Sequence, residues 1–572
     1  MPDDAPEAPG PAATPEPASP ALGFLHAEVR ADLASGRFAG PVRTRFPPEP
    51  NGFLHVGHAK AICIDFGVAA AFGGSCLLRF DDTNPVAEED RYARAIEEDL
   101  AWLGFEPAAV THTSDRFEEL AALAERLIDA GSAYVDEQPV EAIRAQRGGL
   151  TSPGEASPFR DRPAAESKQR FAAMRAGEVP EGAMVLRARI DMAAPNLNLR
   201  DPVLYRVLHA AHPRTGGAWK VYPTYDFAHG QCDALEGITH SLCSLEFEDH
   251  RPLYDWFLRE LNLFPTRQVE FARLNLTHTI TSKRKLRALV DEGHVDGWDD
   301  PRLPTLAGMR RRGYAPEAIR SFCDELGVTK FNGTTELALL EHHQRKHLNE
   351  AAERRMAVLD PIELVITDWP EGEVDRLPAV NRPQVGEEGG GTREVPFTRT
   401  LLIEREDFKE DANRKYFRLT PGREVRLRWA YLVICTGCEK DADGNVVRVF
   451  ATHDPASRGG DAPDGRRVKG TIHWVSAEHA VDAECRLYRP LFATADPAEG
   501  AGEDPPRDWR QNLDPRSRQI ARARAEPSVA EVPPGEAVQF ERVGYFARDP
   551  EAGGLVFHRV VALREDAGKK QG

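Results

Sequence analysis

Cysteine is scarce in this chain: eight in 572 residues, too few for a disulfide-stapled scaffold and in keeping with a reducing cytoplasm. No run of eighteen apolar residues occurs, which excludes a helical membrane span. The first residues lack the basic stretch followed by an apolar one that marks a secretory signal, so a cytoplasmic protein is expected. No solenoid-type repeat is visible. Positive charge is also in deficit, with 73 Lys and Arg against 91 Asp and Glu and a formal charge of -18. Taken alone, that argues against a nucleic-acid partner, although local fields override a total. What remains is a globular composition, 41% hydrophobic, on a chain long enough for three or four domains.

Local charge runs the other way. Residues 414–428 carry Arg414, Lys415, Arg418, Arg423, Arg426 and Arg428 against Glu424, and residues 507–526 carry six arginines against three acids. Arg426 and Arg428 are two apart in a strand-like run, which places both on one sheet face. Guanidinium forks there suit phosphates and base edges; a solvated face balanced by acids elsewhere fits the same pattern.

The richest motif is Pro48-Glu49-Pro50-Asn51-Gly52-Phe53-Leu54-His55-Val56-Gly57-His58-Ala59-Lys60. Val42–Phe46 before it alternates as a strand, the prolines stop any ladder, and Asn51-Gly52 turns the chain into a helix over Gly57–Phe72. Free N–H groups at a helix start can face phosphate oxygens, and Gly57 leaves room for the approach. His55 and His58, three apart, share one side of the first turn and can donate to a phosphorus centre whose charge builds only during reaction. A proline-rich loop entering an ordinary helix with capping histidines is the plainer alternative.

Further along, strands are predicted at Ser75–Phe80 and Met184–Ile190, and helices over Tyr92–Leu103, Arg116–Leu127 and Ala315–Cys323, the last with Pro316 at a first helical position. An insertion through Tyr222 interrupts the α/β pattern, which resumes near Tyr225. From Leu364 the period becomes that of strands, with Tyr431–Ile434, Val446–Thr452 and Gly470–Val475, a hairpin turn at Glu439–Asn445 and a flexible link at Gly386–Gly391; β-barrels are expected. Ile280-Thr281-Ser282-Lys283-Arg284-Lys285 is a second candidate site whose lysines can neutralise a triphosphate, or a solvated turn before a helix. Asp81 after a strand end can hold an ammonium, and Tyr222–His229 can close a small polar pocket. Cys435-Thr436-Gly437-Cys438 has the spacing of a redox pair or half a zinc site, but with no second pair it is read as buried thiols beside a hairpin.

Phe46–Lys60, Phe80–Pro85, Tyr222–His229, Asp233–His240, Ala272–Leu276, Ser282–Leu286 and Gly470–Val475, in that order, resemble the bacterial glutaminyl-tRNA synthetases, a family of class I aminoacyl-tRNA synthetases. The resemblance covers roughly residues 22–565. It implies a multidomain α/β plus all-β architecture. After a disordered tail at 1–21, a Rossmann-type catalytic domain (22–113 and 222–274) is split by an acceptor-end binding insertion (114–221). A helical connector with a mobile lysine loop (275–352), two anticodon-binding β-barrels (353–565) and a tail or linker (566–572) follow.

The same resemblance implies ATP and Mg2+ as reaction partners, L-glutamine and tRNA-Gln as substrates, a mostly monomeric enzyme and no obligate protein partner. It makes His55, His58 and Lys283 catalytic, and Glu49, Pro50, Asn51, Val56, Gly57, Ala59, Lys60, Ala61, Ser244, Arg273, Leu274, Thr281 and Ser282 nucleotide-contacting. Arg45, Asp81, Tyr225, His229 and Gln268 match glutamine-pocket positions. Arg345, Lys415, Phe417, Arg418, Arg426 and Arg428 fall at or near anticodon-reading positions. Thr281 departs from the usual methionine, and Lys415 and Phe417 from glutamine and lysine. His229-Gly230 separates the glutamine enzymes from the nearest rival, the β-barrel glutamyl-tRNA synthetases. A noncatalytic tRNA-binding protein is the alternative from another class.

Overall fold

The computed structural model describes residues 22–86, 89–462, 464–502 and 506–564; the expected tails at 1–21 and 566–572 lie outside them. The chain divides into two units, Met1–Asn275 with Arg320–Gly333 and Leu276–Ile319 with Thr334–Gly572.

In the first unit, β1 (Arg43–Phe46), β2 (Ser75–Phe80) and β3 (Val110–His112) form a parallel sheet. Helix α1 (Gly23–Ala34) precedes β1, and α2 (Val56–Ala71) and α3 (Asp90–Trp102) make the crossovers. A second parallel pair, β8 (His240–Ser244) and β9 (Arg267–Phe271), lies on the other side of β1, where Thr239 N–H donates to the Arg43 carbonyl at 2.9 Å. The strand order therefore reverses between β1 and β8, which opens a crevice at their C-terminal ends, the usual ligand position in such sheets. Helix α2 is apolar on nearly every side and is correspondingly a core helix. Its return to β2 needs Gly74, where a Cβ would stand 1.9 Å from the Val42 carbonyl oxygen.

Between β3 and the second half the chain inserts α4 (Phe117–Asp129), β4 (Ala133–Asp136), α5 (Val140–Gln146), α6 (Ala164–Ala176), β5 (Val185–Ala188), β6 (Val203–Val207) and β7 (Val221–Pro223). Strands β4 to β7 pair in sequence as an antiparallel sheet. Its apolar face packs on α4 and α6, and continues into α7 (Tyr225–Leu235) and α8 (Arg251–Glu260) through Phe227 and Phe257.

The second unit begins with helices α9 (Lys283–Asp291) and α10 (Leu306–Arg312). Helix α11 (Pro316–Leu326), opening on its predicted proline, leads across the unit boundary, and α12 (Leu337–Ala351) precedes the strands. Two seven-stranded sheets follow. In one, the edge strands are Glu353–Arg355 and Ala357–Val358, separated in the chain only by Met356; in the other they are Thr471–Ile472 and Val475–Ser476, separated by His473 and Trp474. Edges so close in sequence force each sheet to curl until they meet, so both are barrels, as the strand pattern predicts. The chain starts the first barrel, builds the whole of the second, and returns with Val481–Ala562 to finish the first.

Three local expectations need correction. Gly470–Val475 is not one strand: His473 and Trp474 break it, and Trp474 Nε1 donates to the Arg428 carbonyl at 2.9 Å. Gly386–Gly391 is not a plain link, because Gly386–Gly390 coils into a short helix between Asp375–Val380 and Thr392–Phe397, with left-handed glycines at 386 and 391 reversing the chain. Cys435 and Cys438 lie within the strand Leu432–Lys440 rather than beside the hairpin, across a bulge; Cys435 is buried and Cys438 half-buried, both as free thiols.

Candidate active site

His55 is the N-cap of α2. Its Nδ1 accepts from Gly57 N–H at 3.1 Å, while the His55 N–H donates to His58 Nδ1, also at 3.1 Å. The two rings stand 3.9 Å apart. Because each Nδ1 accepts a backbone proton, each neutral ring carries its own proton on Nε2, the atom directed away from the cap. Capping and phosphate donation are therefore compatible uses of one imidazole rather than rival readings. The glycine between them has a more local purpose than ligand approach: a Cβ at Gly57 would lie 2.9 Å from His55 Cε1.

Around this turn, Asn51 donates to Glu49 Oε2 at 2.5 Å. Asp81 N–H donates to the Pro48 carbonyl at 3.0 Å, which sets the proline-rich loop beside the end of β2. Val56 and Ala59 are buried in the core, and Lys60, also buried, turns its ammonium to the Ala272 carbonyl at 3.0 Å. Lys60 thus ties α2 to the Ala272–Leu274 segment, and the exposed Arg273 pairs with Glu246. Leu274 is buried, Ala61 is half-buried, and half-buried Ser244 ends β8. Thr281, Ser282 and Lys283 stand in the second unit, where Ser282 holds the N-cap position of α9 without a side-chain hydrogen bond to it and Lys283 is its first residue.

The glutamine-pocket candidates fall into two layers. Tyr225, at the start of α7, stacks on His229 with ring centroids 4.8 Å apart and touches Phe247 at 5.2 Å. Gln268 donates through Nε2 to the Phe247 carbonyl at 3.2 Å and to Glu270 at 3.0 Å. Beneath them Arg45, fully buried, donates to Asp233 at 3.1 Å, to Ser241 Oγ at 2.5 Å and to His229 Nε2 at 3.0 Å. Arg79 pairs with Asp233 at 2.6 Å and Glu236 at 2.7 Å, and Tyr254 donates to Asp233 at 3.0 Å.

These pairings decide the charges. Burial opposes ionisation of Asp233, but Arg45 and Arg79 overcome it and hold the carboxyl far below its usual range. Burial pushes His229 down to about 3, so it is neutral and accepts from Arg45. Burial likewise raises Asp81 to about 6, opposed by the Thr83 hydroxyl and reinforced by Glu49 and Asp82. Asp82, next to it, anchors the loop: it accepts from Ser114 N–H at 2.7 Å and Ser114 Oγ at 2.5 Å, while its carbonyl lies 2.8 Å from His212 Nε2.

Sequence reasoning missed Asp233, Arg79, Phe247 and Asp82. A signal existed for the first two: charged Arg45 and Arg79 sit in strands of a parallel sheet buried on both faces, which requires a buried acid opposite.

The anticodon candidates are dispersed over the second unit. Arg418 pairs with Glu406 at 2.8 Å and Asp407 at 3.2 Å. Arg428 pairs with buried Glu541 of the other barrel at 2.7 Å and lies over Trp429 at 4.2 Å. Arg426 donates to the Gly460 carbonyl, and Arg345, on α12, faces Glu341 at 3.5 Å. Lys415 is exposed, and Phe417, 47% exposed, carries the Lys469 ammonium 5.3 Å from its ring centre.

A switch-point α/β unit with an imidazole-capped helix at its crevice, followed in the chain by two β-barrels, defines a nucleotide-binding enzyme of Rossmann type with appended β-barrels. The family described as tRNA synthetases class I (E and Q), catalytic domain, matches residues 41–350. Two families described as the anti-codon binding domain of the same synthetases match residues 352–454 and 471–549. Among curated relatives, the Glutamine--tRNA ligase of Nitrobacter hamburgensis is 57% identical over 95% of this chain and 96% of its own length. That of Rhodopirellula baltica is 53% identical over 99% and 93%, and that of Pseudomonas aeruginosa 51% over 96% and 98%. The chain belongs to the class I tRNA synthetases of the E and Q type.

Proposed function

We propose that this chain ligates L-glutamine to tRNA-Gln with ATP as co-substrate. The observation that carries this is the end-to-end likeness to Glutamine--tRNA ligases at more than half identity. The glutamine carboxylate attacks the α-phosphorus of ATP, and the bond to pyrophosphate breaks to leave glutaminyl-adenylate. The terminal 2'-OH of the tRNA then attacks the activated carbonyl and AMP departs. No protein nucleophile is needed, so the side chains act by orientation and charge compensation.

In this reading the Nε2–H groups of His55 and His58 meet the phosphates, and the family resemblance alone carries the catalytic role of Lys283. Asp81 holds the substrate ammonium, while Tyr225 and Gln268 face its amide end above neutral His229. Mg2+ arrives with the nucleotide, since a small hard cation is commonly held by substrate phosphates and water. Lys415 and Phe417 offer a stacking platform with cationic help for an unpaired anticodon base.

Charging purified tRNA-Gln with glutamine and with glutamate tests the assignment, glutamine being expected as the productive substrate. Preferred glutamate charging would make the chain a glutamyl enzyme. Normal tRNA binding without ATP–pyrophosphate exchange would make it a noncatalytic binder.

A further inference from the structure

Beyond β8 the chain makes a single 3-10 turn, Leu245–His250, before α8. At its end His250 Nδ1 lies 2.7 Å from Asp226 Oδ1, and Asp226 follows Tyr225 in the first turn of α7. Phe247 from the same turn packs on Tyr225 at 5.2 Å, accepts from Gln268 through its carbonyl, and meets the His250 ring edge-on at 5.6 Å. On the other side, Asn196 and Asn198 of the insertion donate to the Asp249 carbonyl at 2.7 and 3.1 Å. One turn therefore touches both Tyr225 and Gln268 and is held in turn by the insertion.

We propose that His250 is a positioning residue for glutamine: as an imidazolium paired with Asp226 it holds the Leu245–His250 turn against α7, and so sets Phe247, and through it Tyr225 and Gln268, in place. This rests on the glutamine-ligating reading above. His250 reaches the candidate pocket through Phe247 and Asp226, so its effect falls on glutamine affinity rather than on phosphoryl chemistry.

The groups facing the imidazole are Asp226 from α7, Asp249 from its own turn and Arg147 after α5. The hydrogen bond to Asp226 raises His250 above its ordinary value of 6.5; burial opposes this, the charges of Asp226 and Asp249 add to it, and Arg147 subtracts. The sign follows. Below that raised value the ion pair is complete, and as pH rises through it the charge is lost and the turn loosens. Affinity for glutamine should fall toward alkaline pH.

The pair is half-exposed, so the effect is modest: a glutamine KM that climbs about two- to threefold between roughly pH 6.5 and 8, a range in which the substrate ammonium keeps its proton, with kcat and the ATP KM nearly level. The experiment measures glutamine KM across that range by tRNA-dependent pyrophosphate exchange, in the unmodified protein, in His250→Gln and in His250→Lys. His250→Gln is expected to show the high KM at every pH with no step, and His250→Lys, charged throughout, to keep KM low and flat. A flat profile in the unmodified protein, the same step surviving in His250→Gln, or a fall in kcat at constant KM would each overturn the proposal. If either variant fails to fold, Asp226→Asn, which removes the carboxylate partner of His250, takes its place, and an unchanged KM step in it would equally overturn the proposal. Absence of any glutamine-dependent exchange would instead sink the functional reading on which it rests.

Discussion

The floor of the proposed glutamine pocket and the barrel surface around Phe417 are built in opposite ways. Under Tyr225 and His229, Arg45 and Arg79 are buried and paired with Asp233 and Glu236, and Ser241 and Tyr254 supply further hydrogen bonds. Around Phe417 the aromatic ring is half in solvent, and Lys415 is exposed. A buried, fully paired set cannot adjust to its ligand, which suits discrimination between two nearly isosteric amino acids. An exposed ring and lysine can adjust, which suits a base that must be splayed from its stack. The arginines expected beside them, Arg418 and Arg428, are engaged with carboxylates, and Arg428 bridges the two barrels through Glu541.

Four substitutions or conditions would break or sharpen that contrast. Asp233→Ala takes from buried Arg45 its paired carboxylate and leaves Arg79 with Glu236 alone, and should cost about 3–5 kcal/mol of folding stability, read by denaturant unfolding; a loss below about 1 kcal/mol would mean the floor is not a coupled network. His58→Ala removes one phosphate donor and should raise the barrier to adenylate formation by about 3 kcal/mol, roughly a hundredfold in pyrophosphate exchange with tRNA present, while tRNA affinity holds. Equal rates would remove the imidazole pair from the chemistry. Phe417→Ala should weaken tRNA binding by about 1–3 kcal/mol, with stability unchanged within about 0.5 kcal/mol. That separation of binding from stability is the behaviour the floor should not show.

The smallest effect is a pH limb. Asp81 sits near 6 in the free protein because of burial, so it is anionic above that value and neutral below it. A substrate ammonium requires the anion, and kcat/KM for glutamine should therefore fall about tenfold per unit as pH drops below roughly 6. Asp81→Asn should abolish the limb along with most activity. A limb that persists in the variant would belong to another group.

Several elements were readable from residue order alone. The strand expected at Val42–Phe46, the helix expected from Gly57 and the proline opening α11 each rest on local rules of backbone geometry, and the structure has them at Arg43–Phe46, Val56–Ala71 and Pro316–Leu326. Gly470–Val475 reads as one strand because Thr471, Ile472, Trp474 and Val475 are β-prone, whereas barrel closure needs two short strands with Trp474 turned inward between them. Arg45 illustrates the same limit for a site. Its position within a pocket motif is legible, but its partners Asp233 and Ser241 are almost two hundred residues away.

The order of motifs by itself determined the family, the turn into the helix that His55 caps and the alternation of α/β and all-β regions, because period, capping and turn chemistry act between neighbours in the chain. Only the tertiary structure decided which charges are spent on one another. Asp233 between two arginines, Lys60 on a carbonyl, Arg428 across to Glu541 and His250 on Asp226 are choices made by burial, which raises the cost of an unpaired charge and is set by residues far apart in sequence.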